Sequence, residues 1–366
     1  MDPDLLQFSG KHFLPIGKSN FGIFLDSSPD RWGRMLMRRR ESINAKNENR
    51  STANLNETDY LLGVFDGSRM GALRFKLSIE GDFLDNNKAM ATPLWTSLRD
   101  LEYASLQIEN DNIKDDKEYA KWLNMLIAPG SSLGGARPKA NIVDKEGNLW
   151  IAKFPSSHDS RDMGAWEALT AELAIKCGIQ MAQCRAQRFS SKRHTFLTKR
   201  FDREGQNRIH FASAMTLLGH TDGTDSAEGT SYLELVEWIS RNCDNVSSNI
   251  QELFKRIVFN IAVSNCDDHL RNHGFILGSK GWELSPAYDI NPDPYGMGLK
   301  LNISEYDNSL DYDLAISVAK YFGIKDKDAI EIINHIKALV STWKTLASKY
   351  NISLAEQEDM ASAFRQ

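Results

Sequence analysis

The ten residues Ser264-Asn265-Cys266-Asp267-Asp268-His269-Leu270-Arg271-Asn272-His273 gather side chains suited to phosphoryl chemistry. Asp267 and Asn272 have the D-x-x-x-x-N spacing of a phosphoryl-transfer catalytic loop. In such a loop the Asp accepts the proton of a substrate hydroxyl and the Asn holds magnesium. Asp and Asn also favour turns, so a plain polar loop would carry the same letters. Position sets this stretch apart. It follows an apolar helical repeat (Leu253, Phe254, Ile257, Val258, Ile261, Ala262) and precedes the strand-like Gly274-Phe275-Ile276-Leu277. A second carboxylate, Asp289 in Tyr288-Asp289-Ile290-Asn291-Pro292, lies seventeen residues after Asn272. Far upstream, Lys153 sits on the apolar face of a strand, where an unpaired charge is costly. It reads either as a phosphate-binding amine or as a lysine snorkelling from the strand end. Ser131-Ser132-Leu133-Gly134-Gly135-Ala136-Arg137-Pro138-Lys139 joins glycines, which let backbone N–H groups approach an anion, to two cations. A flexible turn before a hairpin explains that stretch equally well.

These groups need elements to hold them. Ala140–Val143 and Leu149–Phe154, around the polar turn 144–148, read as a β-hairpin carrying Lys153. Helical spacing covers 96–127 and 163–177, the latter ended by Gly178. A strand is expected at 195–201, and short strands at 274–277 and 282–284. Near the start, Ser28 is expected to cap a helix with Pro29 at its first position, running through Met35, Leu36 and Arg38–Arg40. Residues 43–57 read as a surface loop, and 59–76 as a short helix, a turn and a strand. The second half is largely helical, so the fold class is α+β, a mixed first half before a helical second half. The expected divisions are 1–100, 101–198 and 199–366.

The chain has 366 residues, 41% hydrophobic and 25% charged, which supplies a sizeable core and excludes a disordered or collagen-like chain. A net charge of −5 excludes an overall basic character for nucleic-acid binding. No apolar run is long enough to span a membrane, and the first 20 residues do not read as a secretory signal. The scattered cysteines Cys177, Cys184, Cys243 and Cys266 fit reduced thiols in a cytoplasm. Cys266, His269 and His273 lack a convincing fourth zinc ligand. No Walker A loop, GxGxxG loop, His-Arg-Asp or Asp-Phe-Gly motif is present, so the residues alone lead to an atypical kinase-like phosphotransferase.

SSLGGARPK, IAKFP, TKRFDRE, SNCDDHLRNHGF and PAYDINP, in this order, resemble the HipA family of bacterial serine/threonine kinases. Asp26-Ser27-Ser28-Pro29-Asp30-Arg31-Trp32-Gly33-Arg34 and the stretch DYLLGVFDGSRMGALRF are similar to that family as well, and the likeness runs from about Phe21 to Pro292. It implies a two-lobed, protein-kinase-like α+β fold that uses ATP and magnesium. Asp267 would be the catalytic base, and Asn272 and Asp289 the metal ligands. Lys153 would hold the phosphates, and Gly134, Gly135, Ala136, Arg137, Pro138 and Lys139 would cover them. Lys199, Arg200 and Phe201 fall where the family reads adenine, with Lys199 in place of the family's frequent Glu. His269, Leu270, Arg271 and Tyr288 flank the nucleotide in the same reading. Ser132 matches an inactivating autophosphorylation site, with Ser131 as the alternative. HipA-like chains usually carry further N-terminal strands, and here the likeness begins almost at Met1.

The resemblance further implies a growth-inhibiting toxin with a small DNA-binding, HipB-like antitoxin as partner, meeting DNA only through that complex. The family's substrate is glutamyl-tRNA synthetase, and related members act on other aminoacyl-tRNA synthetases. Two other readings stand beside it: a catalytically idle regulator binding antitoxin and operator DNA, and a small-molecule kinase. Arg31, Arg34, Arg38, Arg39 and Arg40 could touch phosphates in the first of these, although helical spacing favours a solvated or ion-paired face.

Overall fold

The computed structural model describes residues 2–5, 8–86, 92–109, 116–127 and 136–365. The chain forms two compact units that interleave along the sequence: Met1–Gly164 with Arg185–Phe211, and Ala165–Cys184 with Ala212–Gln366. The crossings thus fall at 164/165, 184/185 and 211/212, where consecutive divisions were expected.

In the first unit a four-stranded sheet runs in the order Lys139–Val143, Leu149–Lys153, Thr195–Lys199, Cys184–Gln187. The first two strands form the expected hairpin, pairing Lys139 with Lys153. The third pairs antiparallel with the second and sets Phe196 beside Lys153. Alternation sends Ala140, Ile142, Trp150, Ala152 and Leu197 into one apolar core, where they meet Leu36, Leu101 and Ile108 from helices. Asn141, Ile151 and Lys153 therefore lie on the opposite face.

The helix Arg31–Asn47 is capped by Asp30, whose carboxylate accepts from the Gly33 amide at 2.8 Å. This corrects the expected Ser28 cap: Ser28 is buried and donates to the Phe24 carbonyl behind a short helix, Gly22–Asp26. The helix also continues through 43–47, expected to be loop, because Ala45 is buried and Ile43 packs on the core. Asn56 and Asp59 form a capping box at Glu57–Leu62. The strand expected before residue 76 is reduced to one bridge, Lys76 to Phe83. The helical stretch 96–127 is two helices, Leu98–Glu109 and Asp116–Ile127. Of the arginine row, Arg34 makes a two-pronged ion pair with Glu57 and Arg39 donates to the Ile108 carbonyl, so part of it serves the fold.

The second unit is built on the long helix Val246–Val263, whose residues from Leu253 onward are nearly all buried. Helices Tyr232–Asn242 and Asp326–Val340 pack on it. A three-stranded sheet, in the order Phe211–Ser213, Gly274–Leu277, Trp282–Leu284, follows the same helix in the chain. Among the described residues no helix is long and apolar enough to cross a membrane.

Candidate active site

The loop after the long helix begins with a sharp turn. Ser264 takes a left-handed conformation (φ 50°), rare for a residue with a side chain, and ends the helix there. Arg365 Nε donates to Ser264 Oγ at 3.1 Å, and the Asp293 amide donates to the Ser264 carbonyl at 3.1 Å. The chain emerges with Asp267 exposed to solvent and Asp268 buried.

Asp268 is the anchor of the loop. Its Oδ2 accepts from Tyr232 Oη and Asn260 Nδ2, each at 2.6 Å, and meets His273 Nε2 at 2.9 Å. Burial opposes the charge, yet His273 and the hydroxyl beside it hold this carboxyl below the usual carboxylate range. Burial, with Asp268 as neighbour, pushes the Tyr232 phenol well up, so it stays a donor. Fixing Asp268 inward turns the adjacent Asp267 outward.

Asn272 is buried in the short helical turn Leu270–Asn272, and its Nδ2 donates to the Asp267 carbonyl at 2.9 Å. With Nδ2 so used, Oδ1 is the acceptor left to a ligand. Asp289 also adopts a left-handed conformation (φ 58°), which Asp tolerates better than most residues and which is concentrated at functional sites. Its Oδ1 accepts from Asn291 Nδ2 at 2.9 Å. Three hydrogen bonds lace the Asp289 segment to the loop. Tyr288 Oη donates to the Arg271 carbonyl at 2.7 Å, the Asn291 amide to Asn265 Oδ1 at 3.2 Å, and the Ser285 amide to the Gly274 carbonyl at 2.8 Å. The structure thereby brings Asp267, Asn272 and Asp289 onto neighbouring, mutually braced segments of one unit. Of the flanking residues, Leu270 is buried, Arg271 pairs with Asp222 at 3.5 Å, and His269 has a buried Nδ1 without a hydrogen-bond partner among the described residues.

These donors fit magnesium. It takes hard oxygen ligands, needs only one or two from the protein, and completes its shell with water and phosphate oxygens. An amide oxygen and a carboxylate meet that demand, although no group of three His, Cys, Asp or Glu suited to a metal occurs among the described residues.

The expected nucleotide residues of the first unit divide. Ser131, Ser132, Gly134 and Gly135 lie outside the described residues. Ala136 is exposed, and Arg137 makes a two-pronged ion pair with Asp159. Pro138 is buried beside Lys139, whose ammonium is fully enclosed in an ion pair with Asp30 at 2.7 Å. Lys139 thus ties its strand to a helix cap, and its charge is committed to the fold. Lys153 is half-buried at its strand end, with its ammonium 5.8 Å from the Phe196 ring centre. Lys199 is half-buried and Phe201 packs near Phe211. The Arg200 side chain turns into the fold. Its guanidinium is enclosed, bound to Asp202 at 2.5 and 2.8 Å, Asn141 Oδ1 at 2.9 Å and the Ser68 carbonyl at 2.5 Å. Sequence reasoning missed Asp268, Tyr232 and Asn260. The available signal was Asn260 itself, a polar residue inside an apolar helical stripe.

A family model of the HipA-like C-terminal domain matches residues 131–343. A putative kinase of Haemophilus influenzae is 26% identical over 187 residues, which are 45% of this chain and 54% of the relative. The serine/threonine-protein kinase toxin HipA of Shewanella oneidensis is 26% identical over 191 residues, 44% of this chain and 43% of the relative. The chain therefore matches about half the length of these curated relatives. In a solved complex of Shewanella oneidensis HipA, HipB and operator DNA, one chain superposes with a TM-score of 0.61 at 19% identity, covering 93% of this chain and 82% of that one. This likeness shows the fold, α+β and kinase-like. Because the family model spans more than half of its length, the chain belongs to the HipA-like family.

Proposed function

We propose that this protein transfers the terminal phosphoryl group of ATP to a serine or threonine hydroxyl of another protein. The observation that carries the reading is the braced loop: Asp267 exposed, Asp268 locked inward, and Asn272 and Asp289 on segments tied together by hydrogen bonds. Asp267 orients the substrate hydroxyl and accepts its proton. Magnesium, held by Asn272 and Asp289, would neutralise the phosphate oxygens. Lys153 binds the phosphates of ATP, and Asp268 keeps the base in place. Ser132 is the proposed site of self-modification.

The relatives narrow the biology. One is named a serine/threonine-protein kinase toxin, and the solved complex joins HipA to HipB and operator DNA. By analogy this protein is a cytoplasmic toxin held by a HipB-like antitoxin and reaching DNA through it, with an aminoacyl-tRNA synthetase as substrate. Phosphoproteomes taken after inducing the wild type and Asp267→Asn test this. Phosphorylation of a synthetase that appears only with the wild type supports it. Identical phosphoproteomes would refute it.

A further inference from the structure

The first unit holds an electropositive pocket that does not include Lys153, although Lys199 and Arg200 in its wall fall where the resemblance implies that adenine is read. It has a volume of about 200 Å³ and is lined by Lys199, Arg200, Arg203, Arg208, Gln206 and Asn148, together with glycines of three turns. Among the described residues no carboxylate lines it. Asp144, Glu146 and Glu204 belong to the flanking turns without entering the wall.

The charge balance around it is uneven. Asp202 serves both Arg200 and Arg203, the latter at 2.6 Å. Asp66 serves both Arg74, at 2.6 Å, and Arg208, at 3.2 Å. Arg69, buried next to them, is held by the carbonyls of Ser27, Leu61 and Val64 and, among the described residues, by no carboxylate hydrogen bond. Four guanidiniums thus share two carboxylates, with the Arg69 guanidinium beside them held by backbone carbonyls. The next carboxyl, Asp85, is pushed up from its ordinary value by burial. Lys199 adds a further cation with no ion pair among the described residues.

Two further observations point the same way. Arg208 Nη1 is buried without a hydrogen-bond partner among the described residues, although Nη2 donates to the Asp66 carbonyl at 2.5 Å. Burial, reinforced by Arg200, brings Arg203 down to about 9, as expected of cations crowded together. An arginine fork matches tetrahedral oxyanions, and an unsatisfied buried donor is costly until something accepts from it. The turns help: Gly147 (φ 83°) and Gly205 (φ 57°) have nothing within 4 Å of where a Cβ would stand, so the backbone is open to a ligand. The volume is below the roughly 300–1,000 Å³ of pockets for drug-sized ligands, which suits one small anionic group.

We propose that this pocket binds phosphate, either as the free ion or as the phosphoryl group of a small metabolite. The site is separate from Lys153 and does not depend on the kinase reading. Bound there, the anion would accept from Arg208 Nη1 and answer the excess charge of the Arg203–Arg208 hairpin.

The test is a titration of the full chain with inorganic phosphate, read by calorimetry at constant ionic strength, against chloride as control. It is repeated with AMP and with a non-hydrolysable ATP analogue plus magnesium. Arg208→Gln removes the unpaired donor. Gln206→Glu, at an exposed position, adds a repelling charge without disturbing the core. Saturable phosphate binding that weakens at least tenfold in both variants, and persists in Lys153→Met and beside the ATP analogue, is the expected result. AMP competing with phosphate would assign the pocket to a phosphoryl ester, and no competition would assign it to the free ion. No saturable binding, or binding lost in Lys153→Met and unchanged in Gln206→Glu, would overturn the proposal. Kinase activity measured on the same samples reports separately on the function proposed above.

Discussion

Replacing Asp268 with alanine should unfasten the catalytic loop while sparing the first unit. The carboxylate is 4% exposed and satisfies Tyr232 Oη, Asn260 Nδ2 and His273 Nε2 together. Its removal leaves three buried donors without an acceptor, at about 1–3 kcal/mol for each group left unsatisfied. Some relaxation and water entry offset this, and removing one partner of a buried charged network costs about 3–5 kcal/mol. That is a large share of the roughly 5–15 kcal/mol that stabilises a typical native protein. Because two units need not unfold together, amide hydrogen exchange is the suitable assay. Protection in Val246–Val263 and in the loop to His273 should fall by about two to four orders of magnitude, at 1.36 kcal/mol per factor of ten. Protection in Leu149–Lys153 should hold. A loss below about 1 kcal/mol in the second unit would refute the anchoring argument. The same network sets an acid limit. The folded carboxyl lies below its ordinary value, so its stabilisation is present above about pH 4 and is lost as pH falls further, through the folded value. Wild-type protection of the loop should therefore persist at neutral pH and collapse in acid, and Asp268→Ala should flatten that dependence.

Two further outcomes follow from local geometry. A Cβ at Gly296 would stand 2.1 Å from Cys266 Sγ and 2.9 Å from its Cβ, so Gly296→Ala should destabilise the second unit by about 1–3 kcal/mol in urea unfolding, and Cys266→Ala should rescue part of that loss. Burial raises the Cys177 and Cys243 thiols to about 12 and Cys184 to about 11, so at pH 8 mass spectrometry should find these three slow to alkylate until urea unfolds the chain.

Much of the site was legible because its residues break regular patterns. The apolar stripe ending at Val263 and the strand at Gly274 bracket the Asp267–Asn272 loop, so the loop's place followed from periodicity. The hairpin carrying Lys153 was equally legible from alternation about a polar turn. The Asp30 cap was not. Ser-Pro-Asp offers two caps, and the choice is made by the distant Lys139, whose buried ammonium needs the same carboxylate. The burial of Arg200 was not legible for a similar reason: it depends on Asp202, Asn141 and the Ser68 carbonyl, and only folding brings the last two to it. The roles of Asp267 and Asp268 could not be told apart in the sequence either, since Tyr232 and His273, from different elements, decide which of the two turns inward.

The most direct test of the account is phosphoryl transfer from labelled ATP by wild type and Asp267→Asn, with magnesium-dependent nucleotide affinity measured in parallel by calorimetry. The account predicts transfer by the wild type, at least about a hundredfold less by the variant, and closely similar nucleotide affinity in both. Equal transfer by the two proteins would contradict the assignment of Asp267 as the base, and no transfer by the wild type to any protein would contradict the kinase reading itself.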